Sequence, residues 1–562
     1  MGAHSNENKV FIISLDGATF DVLRPLVAQG YMPNVGAMIK QEQGIAAELE
    51  SVVPPVTAPA WTSFMTGKHP SKHGIFDFTR FDPVTYSWSI NNAQHIRSKT
   101  LWQILSEKGK RVVVLNLPYT YPTYEINGVM VAGWDAPAND ATFSYPAEVS
   151  AEILRMFPDY KSNLWVSEIM PLQSDEQFNE FTHKLKAGFE QQAKIALHML
   201  EREPWDVFMV HFQQTDWIQH KLWKYIEQGC HDAADHSAKV EATRNCYRQF
   251  DEWVGVLLKQ VPATKATRIV LSDHGFGRLM GNIYANHYLN QWGYLAKKVE
   301  AQDKLRGVKD LLRKSKHSSL RKLYRTMADA KNSLGANGHD RKHQSWVDNA
   351  GDVLSGRGQA LDWSRTKVAT VYAYQMGFLF VNLVGRGPQG IVEEGAEYEQ
   401  LISDLVKRFR DVRHPITGKN LLQDVVRGSD VYPAADGIPL PDLILVPVDG
   451  YNFSFTVSDA PPEISEEGTH RHNGVVLMDG PNIARVPGLT PNLIDMAPTI
   501  LHLAGLAVPT DMDGRVLEEI LPLEPSVRYE EVDNSLSHQA QDYTGEEAEL
   551  IEQRLKGLGY LE

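Results

Sequence analysis

The chain is poor in cysteine. Only Cys230 and Cys246 occur among 562 residues, so neither a disulfide framework nor a Cys-x-x-Cys zinc site can form. Long apolar runs are also missing. Nothing approaches the roughly 20 residues needed to cross a bilayer, which predicts no membrane span. The segment Met1 to Lys9 is polar, unlike a secretory leader with its basic start and apolar centre, so the expected location is cytoplasmic. Positive charge is in deficit: the formal net charge is -14. Stable nucleic-acid binding is therefore not expected, because it needs clustered Lys and Arg to neutralise phosphates. A small phosphate-bearing substrate is not excluded, since bound cations would supply local positive charge. No Gly-Lys pair is followed by Ser or Thr, which removes the Walker-type phosphate loop.

What remains is the composition of a soluble globular protein, 43% hydrophobic and 22% charged. The length allows a large catalytic core with insertions. Apolar runs recur at Val10 to Leu15, Arg111 to Leu117, Asp206 to Phe212, Arg268 to Leu271 and Pro441 to Val446. They read as buried parallel strands. Helical stretches alternate with them, including a long one from about Asp175 to Arg202. The pattern predicts an α/β sheet, mostly parallel, with helices on both faces. We divide the chain into a first part of this core at 1–296, an insertion at 297–358, the remainder of the core at 359–524, and a tail at 525–562. The insertion is rich in Lys, Arg and Ser with helical patches. Such charge runs are usually solvated faces, although a basic lid would attract an anionic substrate. In the tail, Thr544-Gly545-Glu546-Glu547 forms a capping box that starts a short helix ending near Gly557, a structural appendage.

Ligands of parallel sheets bind beyond the carboxyl ends of the strands. Asp16, Asp273 and His274 directly follow apolar runs. Asp216 and His220 stand four residues apart on a predicted helix after the run that ends at Phe212. That spacing puts both on one face, where a carboxylate and an imidazole can grip one cation. Thr57 lies between Pro54-Pro55 and Pro59, just before a helical stretch from Ala60 to Met65. Taken alone it reads as a helix cap, and a hydroxyl becomes a nucleophile only beside a base or a metal. His470 and His472 share a polar loop bracketed by Gly468 and Gly474, and spacing does not choose between them. Together these positions supply three carboxylates and three histidines. Mixed oxygen and nitrogen ligands suit zinc, or manganese. Neither cysteine sits in Cys-x-Pro-x-Arg, so the formylglycine precursor motif of typical sulfatases is absent.

The ordered motifs resemble the alkaline phosphatase superfamily, in particular its type I phosphodiesterase and nucleotide pyrophosphatase branch. The matching pieces are Leu15-Asp16-Gly17, Pro33-Asn34, Thr57-Ala58-Pro59, Thr66-Gly67-Lys68-His69-Pro70, His73-Gly74-Ile75, Asp216-x-x-x-His220, Ser272-Asp273-His274-Gly275, Gly468-Thr469-His470-Arg471 and Asp495-Met496-Ala497-Pro498. The resemblance implies an alkaline phosphatase-like core with a helical cap insertion. It also implies two divalent metals, with zinc favoured. One would be held by Asp216, His220 and His470. The other would be held by Asp16, Asp273, His274 and the oxygen of Thr57. This assignment selects His470 over His472.

The implied reaction is hydrolysis of a small phosphate ester, as a phosphodiesterase or nucleotide pyrophosphatase, through a phosphothreonine at Thr57. Alternatives are a phosphomonoesterase or sulfate-ester hydrolase, and a non-catalytic binding protein of the same fold. One departure stands out. Secreted relatives carry an asparagine oxygen clamp shortly after the nucleophile, and Phe78 falls there, so the substrate pocket is expected to differ. Arg386, in Asn382-Leu383-Val384-Gly385-Arg386-Gly387-Pro388, is a candidate anion contact or a structural loop residue.

Overall fold

A computed structural model describes residues 9–41, 44–137, 143–160, 172, 174–298, 361–434, 437–458, 462–481, 483–521, 526–531, 541–558 and 560. The predicted insertion lies almost wholly outside them, so its helical cap does too.

The main sheet has eight strands: β1 (Val10–Leu15), β2 (Ile45–Glu50), β3 (Val112–Leu117), β4 (Gly128–Ala132), β5 (Ser144–Tyr145), β6 (Val207–Phe212), β7 (Thr267–Leu271) and β8 (Asn473–Asp479). Their spatial order is β2-β8-β7-β1-β6-β3-β4-β5. The five central strands, β7 to β4, run parallel; β8 and β5 run antiparallel to them at the two sides, and β2 pairs antiparallel with β8 at the edge. Every residue of β1, β3 and β6 is buried, as continuous Val/Ile/Leu runs require when both faces are covered. At the edge, β2 alternates buried and exposed positions. The predicted mostly parallel α/β sheet is thus observed.

Helices pack on the sheet. Helix α1 (Thr57–Thr66) is buried along its whole length. Helix α2 (Asp175–Arg202) is opened by Ser174, whose hydroxyl accepts from Gln177 N at 3.2 Å while Ser174 N donates to Gln177 Oε1 at 3.1 Å. Helices α3 (Gln214–His231) and α4 (Ala238–Gln260) follow β6. Among the described residues no helix is long and apolar enough to cross a membrane.

The predicted strand at Pro441 to Val446 does form, as Leu443–Pro447, but it does not join the main sheet. It lies in a separate four-stranded sheet with Val368–Ala373, Gly377–Val381 and Leu422–Arg427, and its pairings are antiparallel. An apolar run fixes burial, not which sheet provides the partners. In that sheet Arg386 pairs bidentately with Asp442, at 2.6 and 3.2 Å. Tyr398 donates to the same carboxylate at 2.9 Å. Arg386 therefore serves a structural ion pair and not an anion contact.

Candidate metal centre

The strand order makes the site. β7, β1 and β6 are neighbours, so their carboxyl ends lie side by side. Asp273-His274 leaves the first, Asp16-Gly17 leaves the second, and Asp216 sits in the first turn of the helix after the third. Gly17 turns the chain with φ +66°, and a β-carbon there would meet the Phe276 ring at 2.9 Å. Only glycine accepts both demands cheaply. The turn sends the Gly17 N–H to Asp273 Oδ1 at 3.3 Å, which ties the first two strand ends together.

His470 arrives from across the site. The expected polar loop is instead a short strand, Gly468–Arg471, paired antiparallel with Gly275–Arg278 so that His470 stands opposite Phe276. The polar sequence hid this strand because its partner, not its own apolarity, stabilises it. His470 points inward and is fully buried. His472, beyond the strand end, lies half-exposed, 3.4 Å from Glu50. Thr57 is not the cap it resembled either. Val56 holds the N-cap position and Thr57 is the first helical residue, so its hydroxyl can face the cluster.

All seven predicted residues come together, none more than 4% exposed. Asp216 Oδ1 lies 3.4 Å from His220 Nε2 and 3.3 Å from His470 Nε2. His274 Nε2 lies 3.4 Å from Asp16 Oδ1, from Asp273 Oδ2 and from Thr57 Oγ1. The backbone orients two of these rings. His470 Nδ1 faces the carbonyl of Pro55 at 3.0 Å, and His274 Nδ1 faces that of Gly275 at 3.1 Å. A carbonyl only accepts, so both Nδ1 atoms carry the proton and both Nε2 lone pairs point inward. His220 and His470 bring their Nε2 atoms within 3.1 Å of each other.

Three buried carboxylate oxygens, Asp16 Oδ1, Asp216 Oδ1 and Asp273 Oδ2, receive no hydrogen bond. Unpaired buried oxygens and converging lone pairs are costly unless a cation lies among them. The donor set fits divalent metal: Asp216, His220 and His470 form one group able to hold an ion, and Asp16, Asp216 and His274 form another. Charge is distributed unevenly. Burial, then the neighbouring charges of Asp273 and Asp216, raise the Asp16 carboxyl well above its usual range. Burial and Asp216 do the same to Asp273. Burial also opposes charge on Asp216, yet the His220 and His470 imidazoles hold its carboxyl well below that range. Burial keeps His274 and His470 neutral by lowering both, the state a metal ligand needs.

Sequence reasoning missed several neighbours. Trp61, one turn beyond Thr57 and so on its face, donates its indole N–H to Asp16 Oδ2 at 2.7 Å. His211, the lone polar ring in the apolar run of β6, stands 3.5 Å from the same oxygen, and burial lowers it to about 4. Thr215 and Gln219 hold the carbonyls of Asp16 and Gly17 at 2.7 and 2.9 Å. These spacings were open to reading. Tyr560, which touches the cluster, gave no signal in the sequence.

Solved structures are similar to the chain. A phosphonoacetate hydrolase from Sinorhizobium meliloti, in complex with phosphonoacetate, matches with a TM-score of 0.51 at 13% identity, over 89% of this chain and 96% of the other. Human ectonucleotide pyrophosphatase/phosphodiesterase 5 matches with a TM-score of 0.49 at 13% identity, over 92% and 100%. The first likeness bears out the alkaline phosphatase-like fold. No curated protein matches the chain significantly. The family model for type I phosphodiesterase / nucleotide pyrophosphatase matches residues 10–356. That span is more than half of the chain, and the chain therefore belongs to the type I phosphodiesterase / nucleotide pyrophosphatase family, whose members are phosphoric ester hydrolases.

Proposed function

We propose that the protein hydrolyses small phosphodiesters with Thr57 as nucleophile and two divalent metals, zinc by preference. Asp216, His220 and His470 would hold one ion. Asp16, Asp273, His274 and Thr57 Oγ1 would hold the other. The observation that carries this reading is the convergence of three unpaired carboxylate oxygens and three imidazoles around one buried hydroxyl. When bound, such ions supply positive charge that lowers a hydroxyl pKa and steadies the oxygens of an in-line displacement.

The chain's own residues do the rest. Helix α1 presents Thr57 from its first turn and is buried on every side, which holds the hydroxyl in place. Thr57 Oγ1 attacks phosphorus, its proton leaves with one alcohol of the diester, and the second ester group stays on the threonine-bound phosphoryl. Water then cleaves this phosphothreonine ester, restoring the Thr57 hydroxyl and releasing the phosphomonoester. Trp61 holds the Asp16 carboxylate in place, and the backbone carbonyls of Pro55 and Gly275 hold two imidazoles. The enclosed cluster excludes bulk water, which strengthens each electrostatic contact.

The test compares metal-loaded protein on bis-p-nitrophenyl phosphate, p-nitrophenyl phosphate and p-nitrophenyl sulfate. The diester is the expected best substrate. Mass spectrometry of acid-quenched turnover of the diester should find a p-nitrophenyl phosphoryl group on Thr57. Full activity in Thr57→Ala would overturn the covalent route.

A further inference from the structure

Thr57, the proposed point of attack, is wholly buried, and a substrate must nonetheless reach it. What covers it belongs to the tail. Helix α5 (Gly545–Leu558) is opened by Thr544, whose N–H donates to Glu547 Oε2 at 2.8 Å. It is fastened to the core by Arg554, which is 1% exposed and donates to the carbonyls of Trp134, Ala136 and Pro137 at 3.1, 2.6 and 2.6 Å. Beyond the helix, Tyr560 N returns to the carbonyl of Leu555 at 2.9 Å. That bond aims the side chain into the cluster.

The phenol oxygen of Tyr560 lies 3.1 Å from Asp216 Oδ2, 3.4 Å from His470 Nε2 and 3.4 Å from Thr57 Oγ1. Its ring fills an aromatic slot. Phe78 is 4.6 Å away, Tyr374 5.2 Å, His220 5.4 Å and His470 5.6 Å between ring centroids. Phe78, which stands where an oxygen clamp was expected, is one wall of this slot. A phosphorus atom attacked by Thr57 must come within bonding reach of Oγ1 while its oxygens face the Asp and His side chains. The phenol already fills that space. Both cannot be accommodated at once.

We infer that Tyr560 is an intramolecular occupant of the substrate position, a cap that withdraws for substrate to bind while helix α5 stays docked. This rests on the hydrolase reading of the site. A protein that binds ligand only when open binds it more weakly by the open fraction. Removing the cap should therefore tighten substrate binding without harming the chemical step.

The test uses Thr57→Cys in the full chain and a small alkylating reagent, with peptide mapping to separate position 57 from Cys230 and Cys246. The introduced thiol should label slowly while Tyr560 is present. Adding Tyr560→Ala, or ending the chain after Gly557, should speed labelling about tenfold or more, whereas Tyr560→Phe, which keeps the ring, should stay near the parent rate. With Thr57 intact, the same two changes should lower KM for bis-p-nitrophenyl phosphate about tenfold and leave kcat at or above the parent value. Equal labelling in all chains would overturn the cap. So would a fall in kcat on losing Tyr560, because the phenol would then be a working part of the site. Faster labelling with no hydrolysis by any chain would keep the cap and remove the hydrolase reading.

Discussion

Asp216 faces two imidazoles, those of His220 and His470, whereas Asp16 and Asp273 share one, that of His274. The first half sets a single carboxylate between two imidazoles. The second packs two carboxylates around a single neutral ring, and both carboxyls are pushed up by burial and by neighbouring negative charge. The difference teaches where the fold depends on its cations. A buried group with one carboxylate has less negative charge to offset. A crowded anionic one carries a desolvation cost that only a positive ion offsets.

Thr57→Ala should have the largest effect, a loss of about 10⁴-fold or more in kcat, while calorimetric titration still finds metal binding in both halves. Loss of metal from one half alone would show that Thr57 anchors that ion more than its ring and carboxylate neighbours do.

Stability without metal should separate the halves. In chelator, Asp273→Asn should raise stability by about 1–3 kcal/mol by deleting an uncompensated buried charge, and Asp216→Asn should lower it by about the same amount. Thermal melts read both, and equal signs would break the comparison. The pH dependence follows. Asp273 has a raised folded-state value, so its charge destabilises the fold above the ordinary carboxylate range of about 4. The advantage of Asp273→Asn should therefore grow as pH rises from about 4 towards that raised value, level off above it, and vanish in acid below about 4. Asp216 has a depressed folded-state value. The contribution it makes should be fully present above about 4 and be lost as pH falls through the depressed value. Saturating zinc should abolish the Asp273→Asn advantage. The smallest effect is expected at His472→Ala, about twofold or less in activity and within about 0.5 kcal/mol in stability, which sharpens the contrast with His470.

The sheet was legible because fully buried parallel strands must be continuous apolar runs. β1 begins and ends at the residues its sequence suggests, and α2 spans the expected stretch from Asp175 to Arg202. Asp16, Asp273 and Asp216 could be singled out because polar residues that follow such runs have to sit at strand ends. His470 was a loop candidate that only the resemblance chose over His472. Its strand is made by pairing with Gly275–Arg278, a long-range contact with no local pattern. The antiparallel sheet around Leu443–Pro447 was misplaced for the same reason. Tyr560 was invisible because its position depends on where a docked helix ends relative to a site assembled hundreds of residues earlier.

The neighbouring strand ends that gather the cluster come from distant parts of the chain, and the second imidazole beside Asp216 comes later still, at position 470. A ribosome adds about 5–20 residues per second. Asp16 and Thr57 are thus made on the order of tens of seconds before His470 exists to meet them. Until then the half built on Asp216 and His220 lacks its second ring, whereas the acidic half has had its one ring since His274 was made. The seat of Asp216, His220 and His470 is consequently the last to be completed, and the tyrosine that closes over the cluster is made later still.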